Sequence, residues 1–309
     1  MNGPFYLTLL ILLDNIYLDF SHAFDSVPRE RLITKLYSLG FQGKFLDWIN
    51  CFLTGRSQCV RLNDNYSSLA EVISGVPQCS VLGSVSFITF INDLVDTVSG
   101  LVKIFADDSK IDSSVENEQQ QQVLQNDLDR LCDWSRKWKL SFNATKCKVM
   151  HFGTNNNRSR YTMLDHSDDY VQVSPVIEEQ DLGVTFEPNL KFDKHISNCV
   201  NKVQRILAMI RRSFDHMDKD MFLVLYKSIV RPLLEYCKPV WSPYFKKDVC
   251  KIESIQRRAT KLVPIVKDLS YENRLKTLGL PTLEYRHDRY DMIQVYKALN
   301  DIDDIKHTC

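Results

Sequence analysis

Residues 105–108 read Phe-Ala-Asp-Asp, between the apolar Leu101, Val102 and Ile104 and the polar Ser109 and Lys110. Two adjacent carboxylates beside an apolar strand are costly, because ionised side chains resist desolvation unless paired or bound to a metal. A strand–turn–strand with Asp107 and Asp108 at its tip presents such ligands well. A solvated pair of turn acids is the alternative. A third acid changes the balance. Ile16, Tyr17 and Leu18 form a short buried-strand pattern that Asp19 ends. With Asp19 beside the Asp107–Asp108 turn, three carboxylates converge, and hard oxygen ligands in that number suit two Mg²⁺ ions. Two such ions about 3.5–4 Å apart activate an attacking hydroxyl and stabilise a leaving oxygen, as phosphoryl or nucleotidyl transfer requires. A two-metal nuclease could use the same three acids.

The elements that must position these residues follow from periodicity and punctuation. Pro28 suits the first turn of a helix, and Leu32, Ile33, Leu36 and Leu39 recur at helical spacing behind it. A second helix is predicted over 43–53. Strands are predicted at 58–62 and 71–73, joined by the polar turn Asn63-Asp64-Asn65. Residues 74–78 read as a loop and 84–98 as a helix. A hairpin follows around 101–112, then a long helix from about 114 to 139 with Leu124, Leu128, Leu131, Trp134 and Trp138 on one face. Residues 154–172 read as a loop with an intervening hairpin. From Asp193, a candidate cap, the pattern turns helical, with Ile196, Val200, Val203, Leu207 and Ile210 as its apolar stripe. Further helices are predicted near 219–237, 248–263, 270–278 and 283–299.

Four segments in order carry a resemblance: LDFSHAFDSVP (18–28), SGVPQCSVLG (74–83), FADD (105–108) and FNATKCKVMHFG (142–153). They resemble successive motifs of a reverse transcriptase, most nearly those of non-LTR (LINE-like, jockey or CR1 type) retrotransposons. The likeness continues through DLGVTF (181–186), SIVRPLLEYCKPVWSPY (228–244) and IQRRATKLV (255–263), and leaves out residues 1–13. It implies an α+β fold: a polymerase palm of antiparallel sheet and packed helices over 1–153, a linker and primer-grip-like hairpin over 154–192, and a helical thumb and C-terminal region over 193–309. It implies an RNA template, a DNA primer and deoxynucleoside triphosphates as partners. It implies two Mg²⁺ as the expected cofactor, with Mn²⁺ as an alternative ion. The chain begins just before the first catalytic motif, so the family's fingers and upstream endonuclease are expected to be missing, leaving the palm with an exposed hydrophobic flank.

The resemblance also assigns residues. Asp19 and Asp107 bind both metals, Asp108 contributes charge or one ligand, and the backbone carbonyl of Phe20 helps coordinate. Phe24 sits under the nucleotide sugar and excludes a 2′-hydroxyl. Gly75, Pro77 and Gln78 contact template and incoming nucleotide. Lys146 protonates the leaving pyrophosphate. Lys202, Arg205, Arg211, Arg212, Arg257, Arg258 and Lys261 are candidates for backbone contacts to a template–primer duplex. The sequence departs from the family pattern where Cys79 replaces the usual glycine after Gln78 and Ser84 replaces a later proline. A Cβ at position 79 is expected to clash or to force an unfavourable φ. An alternative reading is therefore a non-catalytic remnant that binds nucleic acid alone.

Bulk properties bound these readings. The 309 residues, 44% hydrophobic and 25% charged, can bury one large or two modest cores. The net charge of zero conceals a split. Residues 91–190 hold 10 basic against 17 acidic side chains, and 191–270 hold 17 against 8. An acidic catalytic part followed by a basic helical part suits metals in one and phosphates in the other. Nine cysteines without metal spacing suggest reduced thiols in a nuclear or cytoplasmic setting. The apolar run Phe5–Leu13 is too short to span a membrane and lacks the marks of a secretion signal.

Overall fold

Strand β1, Leu13–Leu18, is the middle strand of a five-stranded sheet and delivers Asp19 immediately beyond its end. The computed structural model describes residues 12–165 and 169–302, so most of the run 5–13 and Cys309 lie outside the described residues. The chain is mixed α+β and divides into two compact units, with the boundary between Ile177 and Glu178.

In the first unit β1 is followed by the single turn α1 (Ala23–Ser26), α2 (Arg29–Ser38) and α3 (Lys44–Leu53). Pro28 immediately precedes α2, as its fixed φ favours. Residues 57–71 differ from the expected pair of strands. They form two nested hairpins, β2 (Ser57–Gln58) with β5 (Ala70–Glu71) and, between them, β3 (Arg61–Leu62) with β4 (Asn65–Tyr66). The polar Asn63 supplies the left-handed φ of +53° for the inner turn, so the turn was rightly placed but the pairing runs wider than it. Helix α4 (Val81–Ile91) starts three residues earlier than expected, because the Ser80 hydroxyl accepts the Gly83 amide at 3.0 Å as an N-cap. It ends at Ile91 and continues as a 3₁₀ segment, Asn92–Thr97.

Strands β6 (Leu101–Phe105) and β7 (Asp108–Ser114) form the expected hairpin, and α5 (Glu118–Trp138) the expected long helix. The helix opens on Asn117, whose side chain accepts from Gln120 N at 2.9 Å while Gln120 Oε1 accepts from Glu116 N at 2.7 Å. That reciprocal capping, a variant of the capping box, explains the start at 118. Leu124, Leu128, Leu131 and Trp134 are buried on one face, with Trp138 packed beside them. Strands β8 (Lys148–Phe152), β9 (Thr162–Leu164), β10 (Tyr170–Gln172) and β11 (Ser174–Pro175) complete the unit. The main sheet runs β11-β8-β1-β7-β6, antiparallel except between β11 and β8. The core joins Ile16, Leu18 and Ile111 of the sheet to Leu32, Phe87 and Phe90 of the helices. Lys35 is buried among them. Its ammonium lies 2.6 Å from Asp93 Oδ1 and 3.8 Å from the Trp138 ring centroid, and burial pulls its pKa below the ordinary lysine range. The carboxylate and the ring offset the desolvation of a charge that would otherwise be severely destabilising.

The second unit opens with the hairpin β12 (Glu179–Asp181) and β13 (Val184–Phe186) and is otherwise helical. Helix α6 (Asp193–Ser213) buries Ile196, Val200, Val203, Leu207 and Ile210, the stripe read from the sequence. Asp193 lies in its first turn; the residue ahead is Phe192, at φ +57° and without a side-chain cap bond. Helix α7 (Lys219–Leu225) runs through a π turn, Tyr226–Val230, into α8 (Arg231–Glu235). A π turn just ahead of Pro232 accommodates the missing amide of that proline. The short α9 (Lys238–Trp241), then α10 (Lys246–Ala259), α11 (Tyr271–Leu278) and α12 (Leu283–Leu299), close the unit around Trp241, Ile252 and Ile255. Among the described residues no helix is long and apolar enough to cross a membrane, and the described cysteines are free thiols.

Candidate active site

The β1–β7 register pairs Leu18 with Ser109. Continued by one residue, it sets Asp19 across from Asp108, one position from Asp107. The three acids therefore share one end of the sheet. The tip between β6 and β7 has Ala106 and Asp107 as its two loop residues, with Ala106 at φ +55°. A positive φ at the first loop position alone is the type II′ pattern that suits a two-residue hairpin. Alanine there carries a strain that glycine would not, of order 1 kcal/mol. The tip is more exposed than an apolar strand suggests: Val102 and Ile104 pack against the core, but β6 is an edge strand, Leu101 and Phe105 are 61% and 64% exposed, and Asp107 and Asp108 face solvent. Two adjacent acids are tolerated at this tip because it is exposed, so neither carboxylate is stripped of solvent.

Asp19 is held by its backbone. Its carbonyl accepts Asn143 N at 2.7 Å, and its amide donates to Cys147 Sγ at 3.5 Å. Burial pushes the Cys147 thiol up to about 12, which keeps it a neutral partner. Lys146 comes from the same segment and places Nζ 3.7 Å from Asp19 Oδ2. That oxygen is buried and makes no hydrogen bond. An anionic oxygen without a hydrogen-bond donor is the donor chemistry that a divalent cation completes. Among the described residues, however, no three His, Cys, Asp or Glu side chains are gathered closely enough to hold an ion. The acids meet in backbone register and not as a closed cage.

Phe20 is a core residue by its ring, stacked on Phe142 at 4.6 Å and edge-on to Phe87 at 6.4 Å. Phe24 stacks on Phe87 at 4.4 Å and is half-buried, and its carbonyl accepts Val76 N at 2.8 Å. Gly75 sits at φ +80°, where a Cβ would lie 2.6 Å from Asp25 Cα, so glycine is required both by angle and by space. Gln78 Nε2 donates to Asp25 Oδ1 at 3.1 Å. Cys79 adopts φ +58°, the left-handed conformation anticipated for a residue standing in place of glycine. In the second unit Lys202, Arg205, Arg211, Arg212, Arg257, Arg258 and Lys261 are all exposed. Arg211, Arg212 and Arg258 border a cleft of about 620 Å³ floored by Leu207 and Leu262, whereas Arg257 stacks over Tyr271 at 4.2 Å.

Sequence reasoning missed Arg56, Asp25, Asn143 and Cys147. Asn143 and Cys147 lie inside a quoted motif, but hydrogen bonds to the backbone of a distant strand leave no trace in side-chain pattern. Arg56, directly after Gly55 at the close of an apolar helix, has a weak signal, since basic residues bind the last carbonyls of helices.

Residues 15–187 match the family model described as reverse transcriptase (RNA-dependent DNA polymerase). The match spans more than half of the chain, and the chain belongs to this family. Enzymes of the family generally use divalent metal ions. The chain is 28% identical over 265 residues to the RNA-directed DNA polymerase from mobile element jockey of Drosophila funebris, covering 80% of this chain and 28% of that protein. It is 26% identical over 298 residues to the probable RNA-directed DNA polymerase from transposon BS of Drosophila melanogaster, covering 89% and 32%. It thus spans less than a third of the length of these relatives. Among solved structures, a telomerase of Candida tropicalis bound to a fragment of telomeric RNA aligns with a TM-score of 0.41 at 11% identity, over 89% of this chain and 51% of that one.

Proposed function

We propose that the chain is the polymerase portion of a non-LTR retrotransposon reverse transcriptase. It extends a primer 3′-hydroxyl with deoxynucleotides on an RNA template, inside the cell. The observation that carries this reading is the β1–β7 register, which brings Asp19 to the end of the sheet where Asp107 and Asp108 project. Asp19 and Asp107 would hold two Mg²⁺, with Asp108 adding negative field. Held there, such ions would supply the acidity that activates the attacking hydroxyl and the charge that stabilises the leaving oxygen. Mn²⁺ has the same oxygen preference and can replace them.

The chain's own residues do the rest. The clamp of Asn143 and Cys147 fixes Asp19. Lys146, 3.7 Å from it, brings an acid within reach of the leaving pyrophosphate. The Phe24 ring, held against Phe87, forms a floor on which a deoxyribose fits and a 2′-hydroxyl does not. Gly75, Pro77 and Gln78 meet template and nucleotide. The exposed cations of the second unit bind duplex phosphates. The test is primer extension on an RNA template with Mg²⁺, wild type beside Asp107→Asn. Extension by the wild type alone is expected, and equal extension by the mutant removes the mechanism.

A second reading rests on Cys79. A side chain at φ +58° beside Gln78 strains the loop that should meet the nucleotide. A remnant that binds nucleic acid without chemistry would show salt-sensitive duplex binding and no extension with either metal.

A further inference from the structure

We infer that Arg56 is a positioning residue for nucleotide recognition, acting through the 74–78 loop; this rests on the reading that Pro77 and Gln78 meet template and nucleotide. One guanidinium serves three carbonyls. Arg56 Nη2 donates to Gly75 O at 2.6 Å and to Ser74 O at 3.3 Å, and Nε donates to Leu53 O at 3.1 Å. The last of these is a carbonyl at the end of α3, which has no intrahelical partner to accept. Arg56 therefore ties the end of a packed helix to the start of the loop. Arginine is suited to this because its donors lie in a fixed plane, whereas lysine offers one compact ammonium.

The same loop is gripped from its other side. Gly75 N donates to Val27 O at 2.9 Å, Val76 N to Phe24 O at 2.8 Å, and Ser74 Oγ to Asp25 O at 2.7 Å. Asp25 Oδ1 then accepts Gln78 Nε2. The chain that must place Gln78 is thus bracketed between segment 24–27, which follows Asp19, and Arg56. A cleft of about 430 Å³ opens at this bracket, lined by Asp25, Arg56, Gln58, Val76, Pro77 and Gln78. With no contact to the carboxylates at the sheet end, Arg56 sets where the nucleotide lies and not how fast it reacts. Its loss should therefore be read in KM and in misincorporation before kcat.

The test uses the full chain and two readouts on Arg56→Lys, with Arg56→Gln as a second variant that keeps one donor group. Hydrogen exchange at the Gly75 and Val76 amides is expected to quicken about tenfold, as for the loss of one charge-assisted hydrogen bond, with Leu128 and Leu131 unchanged. Primer extension is expected to show KM for the deoxynucleotide raised about tenfold and kcat within about twofold. Unchanged exchange at Gly75 and Val76, or equal quickening in α5, overturns the clamp. Localised quickening with KM and misincorporation unchanged overturns the positioning role. A wild-type chain that extends nothing overturns the polymerase reading itself, and with it the role in recognition, while the exchange readout still decides whether Arg56 holds the loop.

Discussion

The two ends of strand β1 treat a carboxylate in opposite ways. Near its start Asp14 is fully buried and saturated. His151 Nδ1 is 2.7 Å from Oδ1, Asn156 Nδ2 donates to the same oxygen at 2.8 Å, and the Tyr161 hydroxyl donates to Oδ2 at 2.6 Å. Burial and that carboxylate push the Tyr161 pKa upward, so its hydroxyl stays a donor. Beyond the other end Asp19 has a side chain 43% exposed, one lysine at 3.7 Å and an oxygen without a hydrogen bond. A carboxylate that serves the fold is surrounded by donors, because a buried charge without them is prohibitive. A carboxylate that serves chemistry keeps lone pairs free. Position on one strand, five residues apart, separates the two uses.

The largest expected effect comes from neutralising the free end. Asp19→Asn should lower primer extension by about 10³-fold, as for about 4 kcal/mol of lost transition-state stabilisation. Thermal stability should move little, because a partly exposed ion pair contributes ~0–1 kcal/mol. Steady-state extension and a melting curve on the same sample check both halves. Extension at the wild-type rate would break the comparison at its working end.

Asp14→Ala should do the reverse. It leaves Tyr161, His151 and Asn156 facing a void without their acceptor, at a cost of about 3 kcal/mol. For a unit of this size that is a fall in Tm of ~6–12 °C. Extension per folded molecule should remain within about twofold, because sites without shared partners act nearly independently. Differential scanning calorimetry beside active-site-normalised extension measures it. A variant as stable as the wild type would mean that the buried network is not what holds this end.

The contrast also explains what could be read in advance. Asp19 was legible because Ile16 and Leu18 mark a strand that an acid terminates, and α6 was legible because five apolar residues at helical spacing leave little alternative. Asp14 was not, since one acid inside an apolar lead-in carries no periodic signal and its partners come from 151, 156 and 161. The nested hairpins of 57–71 escaped for the same reason: short exposed strands bury nothing, so no alternation marks them. The Asp107–Asp108 tip was found by its residues, but its surroundings were misjudged, because Val102 and Ile104 do not reveal that their strand lies at the edge.

The smallest effect concerns backbone strain at the working end. Cys79 at φ +58° holds an L side chain in a conformation that costs about 1 kcal/mol more than for glycine. Cys79→Gly should recover a little less than that, since glycine also gains freedom in the unfolded chain. The expected rise in Tm is therefore ~1–3 °C. The same change should raise extension if strain at 79 misplaces its neighbour Gln78, and leave it unchanged if the loop is already held by Arg56 and Asp25. A melting curve and an extension assay on this one variant separate a strain that merely destabilises from one that displaces the nucleotide site. A fall in both would show that the thiol makes a favourable contact, and would place Cys79 with Asp14 among the residues that serve the fold.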